Sequence, residues 1–272
     1  MTLTPTLAGS AAASYPPRFP VAGVLVSRTD YAEATATIIR AAEARQPLVV
    51  AATSVHGVAT AATQPAFRAI LNQFELVTPD GQPVRWALNA LHGAGLAERV
   101  YGPTLMLRVC EAAARAQLSV YCYGGRQDVL ERLVERLPER VPGLRVAGFR
   151  SPPFRPLSVA EREAELADIR ASGADSVFVG LGCPKQEVWA HAHRAELGRP
   201  LVCVGAAFDF HAGALRQAPA WMQARGLEWL FRLLMEPRRL WRRYAKAIPI
   251  FVVAVAAQYV GDRLARPAGR RR

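Results

Sequence analysis

Residues 175–210 of the chain read DSVFVGLGCPKQEVWAHAHRAELGRPLVCVGAAFDF. Two short apolar runs rich in β-branched and aromatic residues, DSVFVGLG and PLVCVGAAFDF, enclose a more polar stretch long enough for a helix. A strand, a helix and a second strand in this order predict two parallel strands joined by a helical crossover. The same alternation of β-rich and helical stretches starts at about Val21.

The remaining β-rich runs extend this pattern into a larger sheet. They are VAGVLV, PLVVAAT, ELVTP, LSVYCYGG and LRVAGF. Asp30 is the predicted N-cap of a helix that ends near Arg45, and Pro103 is the predicted first residue of a helix that ends near Ala116. The sequence therefore predicts an α/β fold with a Rossmann-like, mainly parallel sheet and helices on both faces.

Composition limits the class of protein. With 272 residues, of which 51% are hydrophobic and 21% charged, the chain buries a core and is neither disordered nor fibrous. The four cysteines form no Cys-x-x-Cys pair, which argues against a zinc site or a disulfide framework and favours a reducing, cytoplasmic compartment. Residues 1–20 lack the basic and apolar regions of a signal peptide and are predicted to form a flexible leader.

The positive charge lies near the C-terminus. From Arg225 onward there are twelve basic and three acidic residues, which gives +9 of the total net charge of +12. Glu236-Pro237 is predicted to open a helix with Leu240, Trp241, Tyr244 and Ile248 at helical spacing. The residues predicted for its other side are Arg238, Arg239, Arg242, Arg243 and Lys246.

This pattern predicts a basic amphipathic helix that lies on an anionic membrane surface. The alternative is a core helix with a solvated charged face. The apolar run from Ile248 to Val260 is shorter than the roughly 20 residues needed to cross a bilayer, so a transmembrane helix is not predicted.

Glycines follow three of the predicted strands. Gly124 ends one strand, Gly182 lies in the turn after another, and Gly205 precedes Asp209 after a third. In open α/β sheets ligands bind beyond the carboxyl ends of the strands, where glycine lets backbone N–H groups approach a phosphate. A nucleotide site is therefore predicted at this edge; the alternative is that the glycines only form tight turns.

Several polar residues at the same edge are candidates for chemistry. Asp80 follows a strand in Thr-Pro-Asp-Gly and is either a general base or part of an ordinary turn. Asp209 either orients a hydroxyl or caps the next segment. Arg99 precedes a helix N-terminus and either binds phosphate with it or is a surface arginine. Gln186 and Glu187 either bind sugar or base hydroxyls or open a helix.

No metal or cofactor is predicted. The aspartates never fall two apart, so the Asp-x-Asp pair of many metal-dependent sugar transferases is absent from the sequence. His191 and His193 are two apart on a predicted helix and point in different directions. A bound diphosphate is therefore expected to be neutralised by arginines and backbone N–H groups.

Five segments together resemble the WecG/TagA/CpsF family, glycosyltransferase family 26. They are LVTPDGQPV, ERVYGPTLM, VFVGLGCPKQEVW, CVGAAFDFHAGALRQAPAWMQARGLEWLFRL and EPRRLWRRY, and the resemblance spans roughly Val21 to Val260. It implies an inverting transferase that moves a hexose or N-acetylhexosamine, such as N-acetylmannosamine, from a UDP-sugar to a polyprenyl-diphosphate-linked sugar. Such enzymes serve teichoic acid, enterobacterial common antigen or exopolysaccharide assembly.

The resemblance also implies roles for individual residues. Asp80 matches the family's proposed catalytic base, Thr53 its threonine-containing strand end and Arg99 its substrate-binding arginine motif. Further substrate-binding residues are predicted at Gly124, Gly182, Pro184, Gln186, Glu187 and Asp209. Arg238, Arg239, Arg242 and Arg243 are predicted to contact the lipid diphosphate and the membrane.

The chain departs from the family pattern in two motifs. Many members carry an asparagine two residues after the threonine, where this chain has Val55. Either His56 supplies the missing polar contact or the donor pocket differs. Gly102-Pro103 stands where many members have Gly-x-Asp, in the segment assigned to the acceptor.

The resulting prediction divides the chain into a leader (residues 1–20), a catalytic domain (residues 21–235) and a membrane-associating helical appendage with a basic tail (residues 236–272). Expected partners are a UDP-sugar, a polyprenyl-diphosphate-linked acceptor and the anionic inner face of the plasma membrane, with no nucleic acid; a homo-oligomer is left open. Two alternatives are a Rossmann-like oxidoreductase, disfavoured because Gly-x-Gly-x-x-Gly is missing, and a non-enzymatic basic binding protein.

Overall fold

The fold is described for residues 15–265 in a computed structural model. Six parallel strands form the central sheet in the order β4-β3-β8-β7-β5-β6, and β1 and β2 form a separate antiparallel hairpin. The strands are β1 Arg18–Val21, β2 Val24–Ser27, β3 Leu48–Thr53, β4 Leu76–Pro79, β5 Ser119–Tyr123, β6 Arg145–Arg150, β7 Ser176–Val179 and β8 Pro200–Cys203.

Helices connect these strands and continue beyond the last of them. The helices are α1 Tyr31–Glu43, α2 Val55–Thr63, α3 Pro65–Leu71, α4 Gln82–His92, α5 Gly102–Arg115, α6 Gln127–Arg140, α7 Val159–Ala171, α8 Lys185–Leu197, α9 Ala207–His211, α10 Ala220–Ala224, α11 Glu228–Met235 and α12 Pro237–Ala265. Asp30 caps α1 by accepting from the backbone N–H of Glu33 at 2.8 Å, as predicted.

Two apolar cores lie on opposite faces of the sheet. One packs α2, α3, α4, α7 and α8 on strand residues such as Val49 and Val177, and the other packs α1, α5, α6 and α9 on residues such as Val50 and Phe178. Successive strand residues point to opposite faces, so a strand covered on both sides is apolar throughout. The predicted α/β fold with helices on both faces is confirmed.

The run VAGVLV is a hairpin and not the single strand predicted from it. Ala22 and Gly23 both have positive φ, at 50° and 83°, and turn the chain between β1 and β2. A two-residue turn of this kind matches the twist of antiparallel strands. Because β1 begins at Arg18, the predicted leader boundary at residue 20 falls inside a strand; residues 1–14 of that leader lie outside the described residues.

The run PLVCVGAAFDF was also predicted too long. Strand β8 ends at Cys203, and Gly205 adopts a φ of 58°. The chain then enters the short helix α9, so Asp209 lies on a helix and not at the end of a strand. The left-handed conformation of Gly205 ends the extended chain before the apolar composition changes.

Helix α12 folds back onto the preceding part of the chain. It begins at Pro237, as predicted, and packs on α2, α4 and α11. The predicted division of its faces was wrong at two positions: Trp241 is 52% exposed, while Arg243 is partly buried. At 100° per residue, Arg243 lies nearer than Trp241 to the buried Leu240. The tail residues Arg266 and Arg270–Arg272 lie outside the described part of the chain.

Helix α12 is longer than the apolar run within it. It has 29 residues, and its most apolar stretch of 18 residues has a mean hydropathy of 1.4 with 11% of that stretch buried. By length and composition alone it meets the criterion for crossing a membrane, a criterion that some helices of soluble proteins also meet.

Candidate active site

A cavity of about 1060 Å³ opens at the carboxyl ends of β3, β4, β7 and β8. Helices α11 and α12 form part of its wall, so these C-terminal helices complete the site. Its volume is at the upper limit of the usual range for small-molecule sites, about 300–1,000 Å³. The predicted site residues that line it are His56, Asp80, Arg99, Gly182, Gln186, Asp209, Arg239 and Arg243.

Asp80 follows strand β4 directly and is held by backbone contacts. Its N–H donates to the carbonyl of Thr53 at 3.1 Å, and its Oδ2 accepts from the N–H of Gly102 at 3.4 Å. Burial raises the pKa of Asp80 to about 7, although Arg99 opposes the increase. Glu228 raises this pKa further. A carboxyl that titrates near neutral pH is suited to accept a proton.

Arg99 is the cation next to this carboxyl. It forms an ion pair with Glu228 of helix α11, in which the side chains are only 11% and 10% exposed. The guanidinium also lies over the ring of Tyr101, 4.3 Å from its centroid. Asp80, Arg99 and Glu228 therefore form a charge cluster that joins two loops beside the sheet to helix α11.

Gln186 connects two of the glycine-containing loops. Its Oε1 accepts from the N–H of Gly182 at 3.2 Å and from the N–H of Gly205 at 3.1 Å, and its Nε2 donates to Glu187 at 3.0 Å. Of the three glycine N–H groups expected to approach a phosphate, those of Gly182 and Gly205 are thus paired with this side chain, and that of Gly124 donates to the carbonyl of Arg150 at 2.9 Å. The amide positions the loops after β7 and β8 relative to each other.

Three arginines of the two C-terminal helices line the cavity: Arg232 of α11, and Arg239 and Arg243 of α12. Among residues 15–265, the buried Nε atoms of Arg232 and Arg243 have no hydrogen-bond partner. A buried charged donor without an acceptor is costly, and an anion placed there would satisfy it. This end of the cavity is therefore suited to bind phosphate.

Two further predicted residues lie at the cavity wall. His56 is in the first turn of α2, where burial lowers its pKa and Arg243 lowers it further, so the ring is neutral at neutral pH. Burial raises the pKa of Asp209 on α9, against the opposing effect of Arg239. Both are positioned to form hydrogen bonds with a ligand in the cavity.

Six predicted site residues in the described part of the chain do not line the cavity. They are Thr53, Gly124, Pro184, Glu187, Arg238 and Arg242. Thr53 and Glu187 are each 3% exposed, and Thr53 contacts Asp80 through its backbone. Gly124, at a φ of 110°, permits close packing of two loops, because a Cβ there would lie 2.8 Å from the carbonyl carbon of Gly180. Arg238 and Arg242 point away from the cavity and are exposed.

Some residues that line the cavity were not predicted from the sequence. They are Glu228, Arg232 and the apolar wall that includes Trp86 and Tyr259. Glu228 and Arg232 are four apart in GLEWLFRL, a spacing that places both on one face of α11. That spacing was the available signal. Their proximity to Asp80 depends on how α11 packs on the sheet edge, which no local pattern contains.

Within residues 15–265, no group of three or more histidine, cysteine, aspartate or glutamate side chains is arranged to hold a metal ion. The prediction that transfer needs no metal remains to be tested by activity.

The chain matches a known protein family over most of its length. Residues 19–265 match the profile described as "Glycosyl transferase WecG/TagA/CpsF family". The matched range includes the cavity-lining residues of α11 and α12. The chain is 33% identical over 193 residues to an N-acetylglucosaminyldiphosphoundecaprenol N-acetyl-beta-D-mannosaminyltransferase of Bacillus spizizenii, covering 70% of this chain and 72% of the relative.

Two further relatives carry the same name. The protein of Staphylococcus aureus is 30% identical over 197 residues, which cover 72% of this chain and 74% of the relative. The protein of Bacillus subtilis is 28% identical over 187 residues, which cover 68% and 70%. A profile match across most of the chain and relatives at this identity agree, so the chain belongs to the WecG/TagA/CpsF family of glycosyltransferases.

Proposed function

We propose that this glycosyltransferase moves a hexose or N-acetylhexosamine, such as N-acetylmannosamine, from a UDP-sugar to a sugar linked to polyprenyl diphosphate, with inversion at the anomeric carbon. The observation that carries the proposal is the Asp80 carboxyl, with a pKa raised to about 7, in a cavity that is also lined by three arginines of α11 and α12. The relatives' names, which specify a mannosaminyl group and a diphosphoundecaprenol acceptor, support this choice of substrates.

In the proposed reaction a hydroxyl of the acceptor sugar attacks the anomeric carbon of the donor. A new carbon–oxygen bond forms while the bond to UDP breaks, and the electron pair of that bond leaves with the diphosphate. Asp80 takes the proton of the attacking hydroxyl, which increases the nucleophilicity of its oxygen. Attack on the face opposite the leaving group produces inversion.

The leaving diphosphate and the acceptor diphosphate both need positive partners. Arg239 and Arg243 of α12 are assigned to the acceptor diphosphate, and the unpaired Nε of Arg232 adds a further donor at the same end of the cavity. His56 and Asp209 are assigned to donor hydroxyls. Gln186 contributes by holding the loops that carry Gly182 and Gly205.

The proposed acceptor is a membrane lipid, so the enzyme is proposed to work at the cytoplasmic face of the plasma membrane, in cell-surface polysaccharide or teichoic acid synthesis. Arg238 and Arg242 are exposed beside Trp241. A pair of arginines next to an exposed indole suits an anionic membrane surface, where each basic residue contributes about 1 kcal/mol.

The test is UDP release from a panel of UDP-sugars, with a polyprenyl-diphosphate-linked N-acetylglucosamine as acceptor and EDTA present. The Asp80→Asn variant is compared with Asp128→Asn, which removes a carboxylate from an exposed ion pair on α6. We expect acceptor-dependent release in the presence of EDTA, a decrease of about 10²–10⁴-fold in Asp80→Asn, and wild-type rates in Asp128→Asn. Absence of release with every UDP-sugar, or full activity in folded Asp80→Asn, would overturn the proposal.

A further inference from the structure

One part of the cavity, called the arm below, has an apolar lining that the proposed chemistry leaves unused. Residues of α4 and α12 form this lining, and the same cavity is lined by Asp80. The walls of the arm include Trp86, Ala90 and Leu91 of α4 and Phe251, Val255 and Tyr259 of α12. Sugars, a uracil ring and phosphates would find few polar partners there, so the arm calls for an apolar ligand.

Helix α12 changes character along the side that lines the cavity. Its first lining residues are the basic Arg239 and Arg243, and from Ala247 onward its lining residues are apolar or aromatic. From Arg243 to Tyr259 the helix rises about 24 Å. A polyprenyl diphosphate has the same order of chemistry, with charged phosphates directly attached to a long apolar chain.

The far end of the arm is fixed by the β1–β2 hairpin. The carbonyl of Pro20 accepts from Nε2 of Gln258 on α12 at 2.8 Å and lies 2.7 Å from Nε2 of His92 on α4. Gln258 Oε1 also accepts from the N–H of Ala22 at 2.8 Å. One carbonyl thus contacts both helices, which sets their separation.

The arm also continues into apolar surface. On α12, Val252 and Val253 are 56% and 67% exposed, and Val260 and Leu264 near the end of the described helix are 54% and 81% exposed. Exposed apolar side chains at this density on one helix are unusual for a surface in contact with water alone. An apolar ligand that extends out of the arm can therefore pass along α12 to the membrane.

We infer that the arm between α4 and α12 binds the isoprenoid chain of the acceptor, next to the diphosphate held by Arg239 and Arg243. This inference rests on the proposed function and adds a binding site to it. The donor has no apolar chain, and the arm joins the cavity that holds Asp80, so its ligand needs a polar end that reaches the base. A membrane phospholipid with its head group in the membrane surface does not meet that requirement.

A pair of adjacent alanines on α12 provides the test. Ala256 lines the arm and Ala257 does not, although both are exposed on the same helix. Tryptophan at 256 would occupy the arm, whereas tryptophan at 257 adds the same apolar surface outside it. Ala90→Trp would occupy the arm from the opposite wall on α4.

Transfer is measured with two acceptors that have the same sugar diphosphate, one on a long polyprenyl chain and one on a short alkyl chain, in phosphatidylcholine vesicles. We expect Ala256→Trp and Ala90→Trp to reduce the ratio of kcat/KM for the long and short acceptors at least tenfold, through KM. Ala257→Trp is expected to keep the wild-type ratio. An unchanged ratio in both arm variants, or an equal decrease in Ala257→Trp, would overturn the inference.

Binding of a long polyprenyl monophosphate, which contains no sugar, separates this inference from the proposed function. At least tenfold weaker binding in Ala256→Trp, with wild-type binding in Ala257→Trp, would support the arm even if no sugar were transferred to either acceptor. Wild-type affinity in both variants would contradict the arm, whatever the transfer assay shows.

Discussion

Arg99 and Glu228 form a largely buried ion pair that joins the edge of the parallel sheet to helix α11. Arg99 lowers the pKa of Asp80, whereas Glu228 raises it, so the two partners have opposite effects on the same carboxyl. Because Glu228 reaches this position only when α11 packs against the sheet edge, the ionisation of Asp80 depends on that packing.

The pH dependence of transfer is the first prediction. With Asp80 as the base and its pKa at about 7, kcat/KM is expected to rise with pH through that value as the carboxyl loses its proton. An unperturbed aspartate, with a pKa of about 3.9, would give an acid limb about three units lower. Values of kcat/KM for the acceptor, measured at subsaturating acceptor across the neutral range, test this prediction, and a profile that is flat above about pH 5 would contradict it.

Glu228→Gln is expected to move the acid limb to lower pH. Loss of the carboxylate removes a negative charge near Asp80 and leaves Arg99 free to pair with it, and both changes favour the ionised form of Asp80. The measurement is the midpoint of the kcat/KM profile. Glu236→Gln is the control, because Glu236 pairs with Arg239 at the start of α12 and should leave the midpoint unchanged.

Arg99→Gln is expected to shift the same midpoint in the opposite direction. Without the guanidinium, burial and the charge of Glu228 both raise the pKa of Asp80, so the acid limb should lie above its wild-type position. A shift of the same sign in Arg99→Gln and Glu228→Gln would show that the change reports altered docking of α11 and not the charge near Asp80.

Gln186→Leu is expected to destabilise the fold. The variant leaves the part-buried N–H groups of Gly182 and Gly205 without the Oε1 acceptor, and loss of a hydrogen bond of this kind costs about 0.5–1.5 kcal/mol. Urea unfolding should show a lower midpoint with an unchanged m value. Gln127→Leu, which removes an exposed side-chain contact on α6, is expected to change the free energy of unfolding by less than about 0.5 kcal/mol.

The sequence predicted the sheet well because buried parallel strands leave a local signal. The runs LVVAA and VFV are apolar throughout, and they form most of β3 and β7. The predicted strand boundaries were wrong where a residue with positive φ interrupts an apolar run. The positive φ values of Ala22 and Gly205 divide or end an extended run without any change in hydrophobicity.

The sequence predicted Asp80 as a site residue because the preceding strand also leaves a local signal. Asp80 follows a strand, and a strand end defines which edge of the sheet a residue occupies. The partners of Asp80 come from distant parts of the chain: Glu228 is about half the chain away, and its contact with Arg99 depends on how α11 packs. The direction of Arg243 into the cavity likewise depends on which side of α12 meets α2, which its mixed spacing of basic and apolar residues does not determine.

Acidification is expected to destabilise the protein through His211. This ring is buried, with Nε2 2.9 Å from the carbonyl of Pro103 and Nδ1 3.2 Å from Nη1 of Arg140. Burial lowers its pKa to about 4, from an ordinary value of 6.5. Below about pH 6.5 the unfolded chain gains a proton that the folded chain does not, so stability decreases as pH falls towards 4, by about 3 kcal/mol in total.

The measurement compares wild type with His211→Gln by urea unfolding at about pH 7.5 and about pH 4.5. The amide can replace one hydrogen bond but does not titrate, so the variant should be less stable at the higher pH and lose less stability on acidification. Asp80 and Asp209, whose pKa values are raised, change stability in the opposite direction with pH, but they are present in both proteins and cancel in the difference. Equal pH dependence in the two proteins would mean that His211 is protonated in the fold, with Arg140 displaced from its ring.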